Sequence, residues 1–298
     1  MDLLTPQEWQ EKGTYFNYLS HDIFYQEAGK GECLICLHGF PTSSWDWYKI
    51  WNELVKDFHV IAPDFIGFGY SEKPQEYQYS ILDQADLIEL LLEKKKFDNV
   101  HILAHDYGDT VTQELLARHQ DRVQFREDGV TIKSVCLLNG GLFPESHKPK
   151  MIQKALLGPM GKYVSKFLNE KKLAENLKDI FGKDTQPSEK ELRHFWNLLT
   201  YNKGTQIGHK LIRYIAERKE YRGRWVGTLQ KNKVPIRFID GLEDPISGKH
   251  MVEKYKELIP NPDVVELERI GHYPQMEAPE VVINAFREFQ ENLMISRD

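Results

Sequence analysis

The sequence predicts an α/β fold, a mostly parallel sheet covered by helices and interrupted by one long helical insertion. Two observations carry this. Short apolar runs alternate with amphipathic stretches through both ends of the chain, as βα units around a parallel sheet require. From about Leu142 to Val226 that strand signal disappears, replaced by a Lys-, Glu- and Leu-rich stretch punctuated by Pro144, Gly158, Gly161 and Pro187. Strand character returns at Val234-Pro235-Ile236-Arg237-Phe238-Ile239. A separate C-terminal domain would leave those last strands without a sheet to join, so an insertion is the simpler reading. The expected division is a core of residues 1–141 and 227–298 with a helical cap over 142–226, a size that 298 residues accommodate.

Taken in order, Met1 to Lys12 has no apolar segment of the kind a secretory signal needs, and no later stretch approaches a membrane span. Strands are expected at Ile23–Glu27, Glu32–His38, His59–Pro63, Val100–His105, Lys133–Leu138, Ile236–Asp240 and Val264–Arg269. Ser80–Lys95 carries Ile81, Ala85, Ile88, Leu91 and Leu92 at helical spacing, and Asp109–His119 and Pro279–Leu293 do likewise. Gly- and Pro-marked turns follow several strands, at Gly39-Phe40-Pro41, Gly67-Phe68-Gly69 and Gly140-Gly141.

Composition narrows the partners. Lys+Arg 39 against Asp+Glu 45 gives a net charge of −6, with no basic excess to draw nucleic acid or anionic lipid. The runs Lys94-Lys95-Lys96 and Arg218-Lys219 through Arg224 are short and mixed with apolar residues, which reads as solvated helix faces. Cys33 and Cys36 have the spacing of a metal or redox pair, but they lie in the apolar run Cys33-Leu34-Ile35-Cys36-Leu37. Residues three apart on a strand face opposite sides, so with Cys136 they read as core thiols in a reducing, cytoplasmic setting. The oligomeric state is left open, and a homo-oligomer is compatible with the composition.

The strand Val100–Ala104 runs through His105-Asp106-Tyr107-Gly108-Asp109 into a helix. A nucleophile between small residues at a strand-to-helix turn is the elbow geometry, and here the nucleophile position holds Asp106. A carboxylate with an ordinary pKa of about 3.9 is ionised at neutral pH and needs no base to attack a saturated carbon. Asp at a helix start also suits a plain N-cap. Three other turns favour chemistry over capping. His38-Gly39-Phe40-Pro41 would bring the amides of Phe40 and Tyr107 together as an oxyanion hole on the Asp106 ester. Gly241-Leu242-Glu243-Asp244-Pro245 supplies an acid, Asp244, after the strand Ile236–Asp240, and Ile270-Gly271-His272-Tyr273-Pro274 supplies His272 after the strand Val264–Arg269. Nucleophile, acid and histidine in that chain order, each past a strand end, is an arrangement that unrelated turn residues would rarely produce.

On these residues the chain resembles the epoxide hydrolase and haloalkane dehalogenase branch of the α/β-hydrolases, across nearly its whole length. More narrowly it is similar to the mesoderm-specific transcript group, through His38–Ser44, Asp46–Trp51, His105–Asp109, Asn139-Gly140-Gly141, Arg224–Gly227 and His272–Gln275. The resemblance implies an eight-stranded, mostly parallel α/β-hydrolase sheet with an inserted cap, and a two-step hydrolysis. Asp106 would open an epoxide or expel a halide and become esterified. His272, held by Asp244, would then activate a water that cleaves the ester, for which an ordinary imidazole pKa near 6.5 leaves enough neutral ring. The substrate would be a small apolar organic molecule, with no metal or organic cofactor, since the chemistry needs only water.

Epoxide opening also needs an acid for the developing alkoxide. The stretch Ser188–Glu191 through Ile212–Ile215 resembles the cap segment carrying such a tyrosine, which singles out Tyr214, with Tyr163 and Tyr201 as further substrate-binding candidates. Each also suits a half-buried structural tyrosine. Halide expulsion would want side-chain N–H donors, yet Tyr107 and Phe40 occupy the positions where dehalogenases place them. Asn139 stands where some dehalogenases put their acid, leaving that role to Asp244. Asp109, where relatives often have a second Gly, reads as a solvated first-turn residue favoured by the helix dipole. Epoxide hydrolysis is the first expectation; hydrolytic dehalogenation or a non-catalytic binding descendant are the alternatives.

Overall fold

A computed structural model describes residues 3–295. Eight strands, β1 (Thr14–Tyr18), β2 (His21–Gly29), β3 (Cys33–Leu37), β4 (His59–Pro63), β5 (Asn99–His105), β6 (Thr131–Leu138), β7 (Ile236–Gly241) and β8 (Asp263–Leu267), form one sheet in the order β1-β2-β4-β3-β5-β6-β7-β8. β2 pairs antiparallel with β1 and β4, and every pairing from β4 to β8 is parallel.

The period-two alternation of each strand feeds two apolar layers. Ile35, Leu37, Ile102, Ala104, Val135 and Leu137 face one, and Leu34, Cys36, Leu103, Cys136 and Leu138 face the other. Both faces are therefore covered, which is why these strands read as continuous apolar runs rather than alternating ones. Cys33 and Cys36 fall in opposite layers, and all three thiols are buried and free.

Helices of the first half are α1 (Pro6–Lys12), α2 (Trp51–Asp57), α3 (Ile81–Lys95) and α4 (Tyr107–Phe125). Ser80 caps α3 through its hydroxyl, which accepts the Asp83 N–H at 3.1 Å. Between β6 and β7 lie α5 (Met151–Leu157), α6 (Gly161–Lys166), α7 (Glu170–Lys178), α8 (Glu189–Thr200), α9 (Gly208–Leu211), α10 (Tyr214–Glu220) and α11 (Arg222–Lys231). After β7 come α12 (Lys249–Leu258), α13 (Pro274–Glu277) and α14 (Pro279–Ile295). Among the described residues no helix is long and apolar enough to cross a membrane.

Two features differ from expectation. β1 was not anticipated: its residues Thr14 to Phe16 are largely solvent-facing at the sheet edge, so it shows neither an apolar run nor a clean alternation. The boundary drawn from composition at residue 226 falls inside α11. That helix packs on α4, where the Trp225 indole N–H donates to Glu114 at 2.8 Å and Arg224 pairs with Glu114 at 2.9 Å. Of the basic run Arg218 to Arg224, Arg218 and Arg224 are thus spent on contacts with the core, while Lys219 and Arg222 keep the solvated face that the sequence implies.

Candidate active site

The loops leaving β3, β5, β6, β7 and β8 gather above the C-terminal edge of the sheet, the edge where open parallel sheets place their sites. Because β3 and β5 are neighbours, the turn after β3 lies against the turn after β5. There Asp106 adopts φ +45° and ψ −95°, a conformation that costs energy for any non-glycine residue. Its side chain makes no capping bond to α4, so the plain N-cap reading fails. It points instead toward the β3 turn, where the Phe40 N–H donates to Asp106 Oδ2 at 3.1 Å.

Small residues permit this approach. The Gly108 N–H donates to the His38 carbonyl at 2.9 Å, and a Cβ on Gly108 would lie 2.2 Å from the Leu37 carbonyl oxygen. Gly108→Ala is therefore expected to lower stability by about 1–3 kcal/mol through overpacking, read as a fall in the thermal midpoint. An unchanged midpoint would mean that the elbow has slack the structure does not show. His38 braces the same turn: its Nδ1 faces the Gly39 carbonyl at 2.9 Å, and its Nε2 accepts the Phe65 N–H at 3.1 Å. Tyr107 opens α4, so its N–H has no partner within the helix.

The acid and the histidine meet as expected. His272 Nδ1 lies 2.7 Å from Asp244 Oδ2. Asp244 also accepts N–H bonds from Ile246 at 2.8 Å and Ser247 at 3.1 Å, and Asn139 Nδ2 donates to its Oδ2 at 3.2 Å. The two residues that compete for the acid role in sequence are therefore partners in space, with Asn139 steadying Asp244. His272 is itself held from two sides. Its N–H donates to the Ile180 carbonyl of the insertion at 2.8 Å, and its carbonyl faces His105 Nε2 at 2.8 Å.

Arg218, on α10, is the participant the sequence concealed. It is 2% exposed, and its guanidinium donates to Thr110 Oγ1 at 2.7 Å, to the Asp106 carbonyl at 3.1 Å and to Asp106 Oδ1 at 3.4 Å. The room for it comes from Gly141, where a Cβ would stand 2.1 Å from one guanidinium nitrogen. The Gly140-Gly141 pair was the visible signal, but what fills the space beside a glycine is not written in sequence.

Charges follow from these contacts. Burial alone would raise the Asp106 pKa, but the Arg218 charge, then His272 and the Phe40 amide, hold it below the ordinary carboxylate range. Asp244 is likewise pushed up by burial and pulled down further by His272, Ser247 and Ile246, to about 2. For His272, burial opposes the charged ring, yet Asp244 first and Asp106 next raise it to about 9. This corrects the expectation of an ordinary imidazole: at neutral pH the resting ring carries a proton. Two cations and two carboxylates thus form a neutral quartet. Beneath them Asp109 is fully buried, not solvated as its first-turn position implies, with its carboxylate against Gly140. Burial and then the nearby Asp106 charge push its pKa well up, and Asp240 behaves similarly through burial and Asp244.

Asp106 and His272 both line one apolar cavity, walled largely by Phe40, Phe68, Leu156, Leu177, Leu211 and their neighbours. The cap tyrosines do not. Tyr214 is 1% exposed, packed on Phe40 and Tyr107 under the Arg218 guanidinium, and its buried hydroxyl sits close enough to Asp106 for that carboxylate, after burial itself, to push its pKa well up. Tyr163 is 57% exposed on the outer surface. Tyr201 stacks edge-on against Tyr70, away from the cavity lining.

This chain belongs to the α/β hydrolase fold family, whose model matches residues 32–279. Within it, the mesoderm-specific transcript protein of Mus musculus is 43% identical over 292 residues, covering 94% of this chain and 86% of that protein. Among solved structures, the epoxide hydrolase CorEH superposes with a TM-score of 0.77 at 20% identity, covering 94% of this chain and 99% of that one. Haloalkane dehalogenase DbeA from Bradyrhizobium elkani gives 0.78 at 19% identity, covering 95% and 99%. These two likenesses establish the fold.

Proposed function

We propose that the protein is a hydrolase working through an Asp106 alkyl ester, and that its electrophile is an epoxide. The observation that carries this reading is the placement of Asp106 and His272 on the wall of the same apolar cavity, with the Phe40 N–H on the carboxylate. One Asp106 oxygen attacks a ring carbon, the C–O bond of the epoxide breaks, and the alkoxide takes a proton. Water then adds to the ester carbonyl while His272 accepts its proton, and release of the diol restores the carboxylate. Of the two donors near Asp106, the Tyr214 hydroxyl and the His272 ring, His272 is taken as the proton source, since the resting ring is charged. Giving up that proton leaves the neutral base that the second step needs. Esterification also removes the Asp106 charge that helps hold the ring protonated, so the His272 pKa falls after step one.

Epoxide is favoured over halide because among the described residues no Trp lines the cavity, and Tyr107 follows the nucleophile. The test is diol formation from styrene oxide against halide release from 1-bromobutane. Activity in neither favours the binding descendant. The pH profile separates the steps: kcat/KM should decline as pH rises through about 9, where free His272 loses its proton. The kcat limited by ester hydrolysis should rise with pH around a lower midpoint. A kcat/KM that climbs through the same range would remove His272 as the acid.

A further inference from the structure

We infer that the natural substrate is an amphiphile with a carboxylate head, and that Lys73 receives that carboxylate inside the apolar cavity. This rests on the reading of the cavity as the substrate chamber. Lys73 follows the Gly67-Phe68-Gly69 turn beyond β4, is 6% exposed, and shares the cavity wall with Asp106 and Phe40. Its side chain is built in: a Cβ on Gly204 would stand 2.9 Å from its Cδ and Cε, so that glycine makes the space the lysine occupies. Nζ donates to the Gly69 carbonyl and lies 5.2 Å from the centre of the Tyr201 ring.

Among the described residues no carboxylate pairs with Lys73. The nearby Asp64 has its oxygens occupied by the Ser44 and Tyr70 N–H groups at 2.7 and 2.6 Å. A buried ammonium without a counter-ion is costly, and burial has pushed the Lys73 pKa down to about 7, only partly offset by Asp64. A catalyst of neutral hydrocarbons gains nothing from such a group, since an apolar residue there would be cheaper to bury. The other lysine of the lining, Lys150, sits on the same wall and is already near Asp179 at 3.5 Å, and the His272 ring is held by Asp244. An apolar chamber with one cation that no carboxylate bonds directly and one nucleophile selects a molecule with an anion on one part and an electrophilic carbon on another. The carboxylate settles on Lys73, the chain lies along the leucines, and the epoxide carbon meets Asp106.

The test uses decanoate and methyl decanoate as probes, then terminal epoxy acids of graded length with their methyl esters as substrates. Decanoate should bind the full chain about 10- to 100-fold more tightly than its methyl ester, the range of one charge-assisted hydrogen bond. Lys73→Met should collapse that ratio to about one, and Lys73→Arg should keep most of it. Equal binding of acid and ester by the wild type, or a Lys73→Met variant that keeps the preference, overturns the inference. The two readings fail separately. Acid-selective binding without turnover of any epoxide keeps the Lys73 site and refutes the reaction, whereas turnover of esters and acids alike does the reverse.

Discussion

Replacing His272 by Gln is expected to stop the reaction halfway and leave the substrate bonded to the enzyme. The attacking oxygen belongs to Asp106, whose ionisation Arg218 and the Phe40 amide still favour once the contribution of the imidazole is removed. The second step does require it, because water adds to an ester only when a base removes its proton. Turnover should fall about 10²- to 10⁴-fold, the usual contribution of a general base. With a reactive epoxide whose opened oxygen can take a proton from solvent, intact mass should rise by the full mass of the substrate, on the peptide carrying Asp106. The complementary variant, Asp106→Asn, should neither turn over nor gain mass. If it is fully active with deamidation excluded by its mass, the carboxylate is not the nucleophile. An adduct on any other residue has the same force.

Arg218→Met should be the most damaging change outside the triad. It removes the positive neighbour of a buried carboxylate, and breaking such a pair costs about 3–5 kcal/mol. The sign of its pH dependence is determined. In the wild type the Asp106 pKa is depressed relative to the unfolded chain, so its contribution to stability is present above about pH 4 and lost as pH falls through the folded value. The gap in unfolding free energy between wild type and Arg218→Met should be widest near neutrality and shrink in acid. The rate of covalent trapping in the variant should gain an acidic limb, as Asp106 now titrates upward. Arg218→Lys keeps charge but not the fork that spans Thr110 and Asp106, and should recover part of the ionisation and little of the geometry. A stability gap that is the same at every pH would show that Arg218 acts through packing alone.

What the sequence made legible divides along a physical line. Asp106, Asp244 and His272 could be read because a parallel sheet delivers successive strand ends to one edge, so chain order alone brings them together. Arg218 could not. It sits in a basic, helix-forming stretch that looks like solvated surface, and nothing local says that Gly141, far back in the chain, has cleared a slot for it in the way close packing demands. The cap tyrosines could not be ranked for a related reason: composition gives a helix but not which of its faces turns inward, and it is Tyr214 that comes against Asp106. Asp109 was misread because a first-turn aspartate is normally solvated, whereas here the elbow turns that position into the sheet. β1 was missed because an edge strand with exposed residues has no apolar pattern to display.

The tie between α10 and the elbow also limits how a molecule can get in. Arg218 grips the main chain of the nucleophile, and the Ile180 carbonyl grips that of His272. A roof lifted bodily from the sheet would strip both reacting groups of their supports at the moment of admission. Admission must therefore leave both of these contacts in place.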